Sequence, residues 1–155
     1  MPLGSRVLPV AQWAAFAHDA SSVPQARHLL RDVLDRAGAD ETTRAEVEVV
    51  LSEIIGNSVR HARPLQREGL PGGIEVACRL VPGGEHADQH VELSVTDGGS
   101  ASSVHPVHAR ESDTSGRGLR IVDSLTTEWG VVEDLDDLTR TVWATFGGPR
   151  RRAPR

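Results

Sequence analysis

Apolar residues recur with a helical period in the segment from Glu41 to Arg63. This spacing places them on one stripe of an α-helix, which we expect to face a core. They are Val47, Val50, Leu51, Ile54, Ile55, Val59 and Ala62. Glu53, Asn57 and His61 lie four residues apart and follow one edge of that stripe. A polar edge beside a buried stripe can face a pocket, although a solvated flank is the commoner reason for this spacing.

The middle of this helix contains Gly56 followed by Asn57, and both are poor helix formers. Such a conflict between local preference and the predicted structure is often retained for function or for close packing. It therefore favours a pocket at this edge.

The remaining pattern predicts two further helices and several strands. Ser21 or Ser22 begins the first helix, which Gly38 ends, and Asp40 caps the long helix. The third helix opens at Gly116-Arg117-Gly118. Alternating residues predict strands at 74–81 and 90–95, and strand-like runs follow at 129–133 and 139–146. A weaker strand is predicted at 13–18, with a connecting loop at 64–73 and an acidic turn at 134–137.

The order helix, helix, hairpin, helix, hairpin predicts an α+β fold. We expect a two-layer sandwich in which a mixed, mostly antiparallel sheet is covered on one face by helices. A chain of 155 residues with 38% hydrophobic content suits one domain with a core. We expect an N-terminal arm at 1–12, the domain at 13–146 and a disordered basic tail at 147–155.

The composition of the chain argues against several classes of function. A net charge of −5 argues against direct binding of nucleic acid, which needs a basic surface. The sequence shows neither an apolar run of membrane-spanning length nor a leader pattern, so we expect a cytoplasmic protein without a membrane partner. The single cysteine, Cys78, fits a strand and a packing role. His86 and His90 flank a loop without a third ligand at a recognisable spacing, which favours solvated histidines over a metal site.

Three segments carry residues that suit a nucleotide site. Gly116 and Gly118 at a helix start can direct backbone N–H groups and the helix dipole at an anion, although a tight turn explains them equally well. Asn57 can ligate a hard cation through its oxygen, and Asp97 can accept a hydrogen bond from an adenine amino group. The long polar loop at 100–115 is typical of a lid that orders around a ligand.

These segments resemble known nucleotide-binding motifs. Glu53-xxx-Asn57, Asp97-x-Gly99 and Gly116-x-Gly118 are similar in order and interval to the N-box and the two glycine boxes of the GHKL superfamily, which includes gyrase B, MutL and histidine kinase ATP-binding domains. Within that superfamily, the segments 52–62 and 115–123 most resemble the short anti-sigma-factor serine kinases of the RsbW type. The resemblance covers about residues 13–146 and implies the Bergerat, or histidine-kinase-like, ATPase fold.

The resemblance also implies an ATP-dependent serine/threonine protein kinase that uses ATP and Mg²⁺. It assigns the general base to Glu53, the metal ligand to Asn57 and adenine recognition to Asp97. The nucleotide-binding residues that it implies are Asn57, His61, Asp97, Gly99, Ser115, Gly116, Arg117, Gly118, Leu119 and Thr141.

Two positions depart from the family pattern. Ala101 replaces the second glycine of the first box, and Thr114 stands where some relatives carry an arginine. Arg117 and Arg110 remain as alternatives for a contact with the γ-phosphate.

The implied partners are a sigma factor, which the protein sequesters, and an anti-anti-sigma protein of the STAS type, which it phosphorylates. The resemblance further implies a homodimer, with modest support from the apolar residues Trp13 and Phe16 near the N-terminal edge. The alternative function is a catalytically inactive ATP-binding module that acts by sequestration alone. An ATP-driven clamp of the MutL or gyrase B type is disfavoured, because no transducer domain follows Phe146.

Overall fold

The computed structural model describes residues 11–67, 70–83, 89–100 and 114–147. Three helices and six strands lie in these ranges. In chain order they are β1 (Ala11–Ala17), α1 (Ser22–Ala37), α2 (Glu41–His61), β2 (Leu65–Arg67), β3 (Leu70–Val81), β4 (His90–Asp97), α3 (Thr114–Leu125), β5 (Glu128–Asp134) and β6 (Thr139–Phe146).

The six strands form one sheet in the order β1-β3-β4-β6-β5, with β2 paired to β3 outside this path. Every strand pairing in the described ranges is antiparallel. The three helices form the second layer, in which α2 contacts α1, α3 and strands β4 and β6. This arrangement confirms the predicted two-layer α+β sandwich.

The core lies between the helices and one face of the sheet. Alternate residues of β4 face inward and are buried, as expected for a strand with one covered face. The fully buried large side chains from both layers are Leu30, Val33, Leu34, Val47, Val50, Leu51, Ile55, Ile74, Val76, Val91, Leu93 and Phe146. The predicted apolar stripe of α2 is thus part of the core.

Local signals begin and end the helices much as the sequence predicts. The Asp40 carboxylate accepts a hydrogen bond from the backbone N–H of Thr43 at 2.7 Å, which caps α2. Gly38 ends α1 with a φ of +69°, a conformation that glycine adopts without strain. In the acidic turn, Asp134 accepts from the backbone N–H groups of Asp136 and Asp137 at 3.0 Å each.

The prediction of a connecting loop at 64–73 is wrong. Residues Leu65–Arg67 form β2, and β3 already begins at Leu70. The Pro-Gly-Gly run in this segment is typical of a turn. Pairing with neighbouring strands overrides that preference, because Gly73 lies opposite both Ala17 of β1 and Leu65 of β2.

The boundaries of the domain differ slightly from the prediction. Strand β1 begins at Ala11, so the last two residues of the predicted arm belong to the sheet. The rest of that arm, the tail beyond 147, most of the predicted lid and His86 lie outside the described residues. No helix in the described part of the chain is long and apolar enough to cross a membrane.

The second face of the sheet carries no helix in the described ranges. A row of paired residues crosses this uncovered face from Trp13 through Ala77, Ser94 and Trp143 to Gly130. A Cβ at Gly130 would lie 2.8 Å from the Trp143 ring, so glycine makes room for the indole. A shallow groove of about 520 Å³ lies between the two tryptophans. Cys78 faces the opposite way, into the core, where burial raises the pKa of its thiol to about 12.

Candidate functional site

The polar edge of α2 is accessible, as the sequence predicts. Glu53 and Asn57 are half-buried and His61 is exposed, while the adjacent Ile54 and Ser58 are buried. Within the described residues, Glu53 makes no hydrogen bond or ion pair. No group in the described ranges therefore occupies its carboxylate, which lies one helical turn from the Asn57 carboxamide.

The Asn57 side chain has a cationic neighbour on its own helix. Its Oδ1 atom accepts a hydrogen bond from Nη2 of Arg60 at 3.0 Å. The guanidinium lies beside Gly56, where a Cβ would be 3.4 Å from Nη1, an ordinary van der Waals contact. A carboxamide oxygen has two lone pairs, so Asn57 keeps one position for a further partner.

The end of α2 is joined to the turn that follows β4. The backbone N–H of Arg63 donates to the carbonyl oxygen of Gly99, and the N–H of Gly98 donates to the carbonyl oxygen of Arg63, both at 2.8 Å. A Cβ at Gly98 would lie 2.3 Å from the carbonyl oxygen of Pro64, a separation that no side chain tolerates. Gly99 has a φ of +75°, which favours glycine. The two glycines therefore hold this turn against the end of α2.

Asp97 is a buried acidic residue at the end of β4. It continues the inward-facing series of β4 after Val95, and only 3% of its side chain is exposed. Its Oδ1 accepts from the backbone N–H of Gly99 at 2.8 Å, and its Oδ2 pairs with Nη2 of Arg140 at 3.2 Å. Each carboxylate oxygen can accept two hydrogen bonds, so Asp97 retains acceptor positions for a ligand amino group.

Comparison with protein families decides the identity of the domain. The model of the histidine kinase-like ATPase domain matches residues 16–146. The chain belongs to this family. The GHKL resemblance predicted from the sequence is confirmed, and the family match ends at Phe146, the last residue of β6.

A solved structure supports the same fold for this ATPase-family chain. It is the crystal structure of the RsbU and RsbW domains of Rv1364c from Mycobacterium tuberculosis, with a TM-score of 0.63 and 22% sequence identity. The alignment covers 93% of this chain and 34% of that chain, so the present chain corresponds to about one third of its length. No curated protein matches this chain.

In this ATPase-family domain, the structure does not bring Thr141 together with Asp97. Thr141 lies on the uncovered face of the sheet, where its hydroxyl is 2.8 Å from that of Thr96. The β6 residue directly opposite Asp97 is Arg140. The sequence carries a signal for this, because the alternating apolar residues Val142, Ala144 and Phe146 belong to the core and share a face with Arg140. The predicted set contains Thr141 and not Arg140, and a nucleotide-binding role for Thr141 stays a prediction.

The second glycine box lies in the first turns of α3. This helix begins at Thr114, two residues before the predicted start, so Ser115, Gly116, Arg117 and Gly118 all belong to it. Leu119 is half-buried, and α3 packs against α2 and β5. Arg110 lies outside the described residues, so the assignment of an arginine to the γ-phosphate stays open between it and Arg117.

Proposed function

We propose that this protein is an ATP-binding anti-sigma factor and serine/threonine kinase. It would phosphorylate an anti-anti-sigma protein of the STAS type and sequester a sigma factor. The observation that supports nucleotide binding in this proposal is the buried Asp97 carboxylate at the end of β4. It is ordered by Gly99 and Arg140, retains acceptor positions, and lies in a fold that belongs to an ATPase family.

The residues of the site fit ATP and Mg²⁺. Asp97 would accept the adenine amino group, as the family resemblance implies, and Gly99 fixes the orientation of that carboxylate through its backbone N–H. Asn57 would hold the metal through Oδ1, which has a lone pair beyond the bond from Arg60. No three His, Cys, Asp or Glu side chains cluster in the described ranges, and Mg²⁺ is commonly held by one or two protein oxygens together with phosphates. When bound, ATP supplies the phosphoryl group and Mg²⁺ neutralises the charge that develops on it.

Glu53 would act as the general base. Its carboxylate is half-buried, makes no hydrogen bond or ion pair within the described residues, and precedes Asn57 by one helical turn. A base at this position would accept the proton of a substrate serine or threonine hydroxyl. Positioning of the hydroxyl and neutralisation of charge supply most of the acceleration in phosphoryl transfer, so the base contributes only part of it.

The proposed partners rest on the resemblance to RsbW-type kinases together with the fold shared with an RsbW domain. A homodimer belongs to the same proposal. Of the two residues that supported it, Phe16 packs against the core, whereas Trp13 is 56% exposed on the uncovered face. Light scattering at micromolar concentration should give twice the chain mass, and a monomer mass with and without nucleotide would remove the dimer from the proposal.

Incubation of the purified protein with γ-labelled ATP and a candidate anti-anti-sigma protein tests the kinase function. We expect label on a serine or threonine of the antagonist and much slower labelling when Glu53 is replaced by Gln. ATP binding and capture of a sigma factor without any transfer would instead favour the module that acts by sequestration alone. Absence of ATP binding would overturn the nucleotide-dependent function altogether.

A further inference from the structure

Arg140 is an unexpected residue beside the base-recognition carboxylate. It lies directly opposite Asp97 across the β4–β6 pairing and opposite Glu133 across the β5–β6 pairing. Glu133 is exposed and Asp97 is buried. Among the described residues, the guanidinium pairs with Asp97 and makes no ion pair with Glu133. It therefore turns inward along the sheet, toward the proposed base site.

The guanidinium is not fully satisfied there. Only 20% of the Arg140 side chain is exposed, and its Nε atom is buried without a hydrogen-bond partner in the described structure. A buried donor without a partner is costly, and most such groups in proteins are paired once ligands and water are counted. An acceptor supplied by a ligand would satisfy the Nε–H group.

We propose that Arg140 contacts the purine ring itself and is a second base-recognition residue beside Asp97. This inference rests on the proposed ATP-binding function. The pair presents a carboxylate acceptor next to a guanidinium donor. A 6-aminopurine offers the complementary pattern, an amino donor next to a ring nitrogen acceptor. Asp97 would accept from the amino group while Arg140 donates to the ring nitrogen.

A merely structural role for Arg140 makes a different prediction. In that role, the guanidinium would only hold Asp97 in place and balance its buried charge. Its loss would then matter only for ligands that use Asp97. Purine riboside triphosphate, which is ATP without the 6-amino group, separates the two roles because it keeps the ring nitrogens and cannot donate an amino hydrogen to Asp97.

The experiment is calorimetric titration of wild type and R140M with ATP, purine riboside triphosphate and inorganic tripolyphosphate. Loss of a charged donor weakens binding about tenfold to a hundredfold. We expect this loss for ATP and also for purine riboside triphosphate, with unchanged affinity for tripolyphosphate. R79M is the matched control. Arg79 also pairs with a carboxylate, Glu92, but lies on the uncovered face of the same sheet. Its substitution should leave all three affinities unchanged.

Each other outcome overturns the inference in an identifiable way. Weaker binding of ATP with unchanged binding of purine riboside triphosphate would mean that Arg140 acts only through Asp97. Tighter binding of ATP by R140M would mean that the guanidinium occupies the space that the adenine ring needs. If R140M does not fold, R140K keeps a positive charge beside Asp97, removes the Nε donor, and gives the same comparison. Wild type that binds no ATP would overturn the proposed function itself, whereas equal binding by wild type and R140M would overturn only the role of Arg140.

Discussion

Arg63 donates its backbone N–H to the carbonyl oxygen of Gly99 at 2.8 Å, and this bond joins the end of α2 to the turn after β4. The reciprocal bond from Gly98 to Arg63 has the same length. Two motifs that are far apart in the sequence, the polar edge of α2 and the Asp97 carboxylate, are thereby held in a fixed relation. The backbone contact needs a glycine where the two segments approach most closely.

The first prediction concerns that glycine. G98A should destabilise the protein by about 1–3 kcal/mol, because its Cβ would lie 2.3 Å from the carbonyl oxygen of Pro64 and the backbone must shift. Chemical denaturation followed by circular dichroism measures the change. G56A is the control, since a Cβ there makes only ordinary contacts and alanine favours a helix by up to about 1 kcal/mol over glycine. Equal stability of G98A and wild type would show that the turn can move away from α2.

The second prediction tests Glu53 as the general base. E53Q should bind ATP almost as well as wild type and lose about 10²–10⁴ in the rate of phosphoryl transfer, because the amide keeps the size of the side chain but cannot accept the proton. Calorimetry gives the affinity and labelled ATP gives the rate. A large loss of ATP affinity would mean that Glu53 orders the binding site and is not primarily the group that accepts the proton.

The third prediction tests Asn57 as the metal ligand. N57A should lose the Mg²⁺ dependence of ATP binding, because no side-chain oxygen remains at this position of α2. Calorimetric titrations with Mg²⁺ and with excess chelator measure that dependence. R60A provides the comparison, since it removes the hydrogen bond to Oδ1 and leaves the oxygen in place. Equally tight ATP binding by wild type with and without chelator would contradict the role of Asn57.

The fourth prediction concerns stability at alkaline pH. The chain has no lysine and no tyrosine, so Cys78 is the side chain expected to titrate between about pH 9 and pH 12. Burial raises its pKa from 9.0 to about 12, so above pH 9 the unfolded thiol ionises while the folded thiol stays neutral. The free energy of unfolding should therefore fall by about 1.4 kcal/mol per pH unit in this window. Stability measured at several pH values checks the slope.

C78A is the matched variant for this measurement. Its stability at neutral pH can differ because of packing, but the slope above pH 9 should disappear. A slope that persists in C78A would assign the alkaline loss of stability to another group. The neutral buried thiol of wild type should also resist alkylation in the native state and react after unfolding.

The sequence predicts the long helix best. Its apolar stripe, the Asp40 cap and the accessible edge at Glu53 and Asn57 all appear in the structure, because a long periodic segment carries its signal in many residues. The start of β3 was missed for the opposite reason. Its pairing with β1 and β2 is a tertiary contact, and the local Pro-Gly-Gly run favours a turn.

The positions of Thr141 and Arg140 show a sharper limit. Resemblance to a motif locates a strand to within a residue or so, but a shift of one residue moves a side chain to the other face of the sheet. The hydroxyl of Thr141 suits a nucleotide site by chemistry alone, yet it meets Thr96 on the uncovered face. The register of β6 against β4 places Arg140 beside Asp97, and the alternation of β6 indicates the face of Arg140 without naming its partner.

The position of β6 between β4 and β5 has a consequence for biosynthesis. While the ribosome has not yet delivered residues 139–146, β4 has one edge without a partner and β5 has no neighbour in the sheet. Unpaired edges recruit strands from other chains, so a nascent or truncated polypeptide that stops before β6 should aggregate rather than fold into a smaller unit. The sheet can close only after β6 has been synthesised, and premature stop codons before residue 139 should yield insoluble fragments.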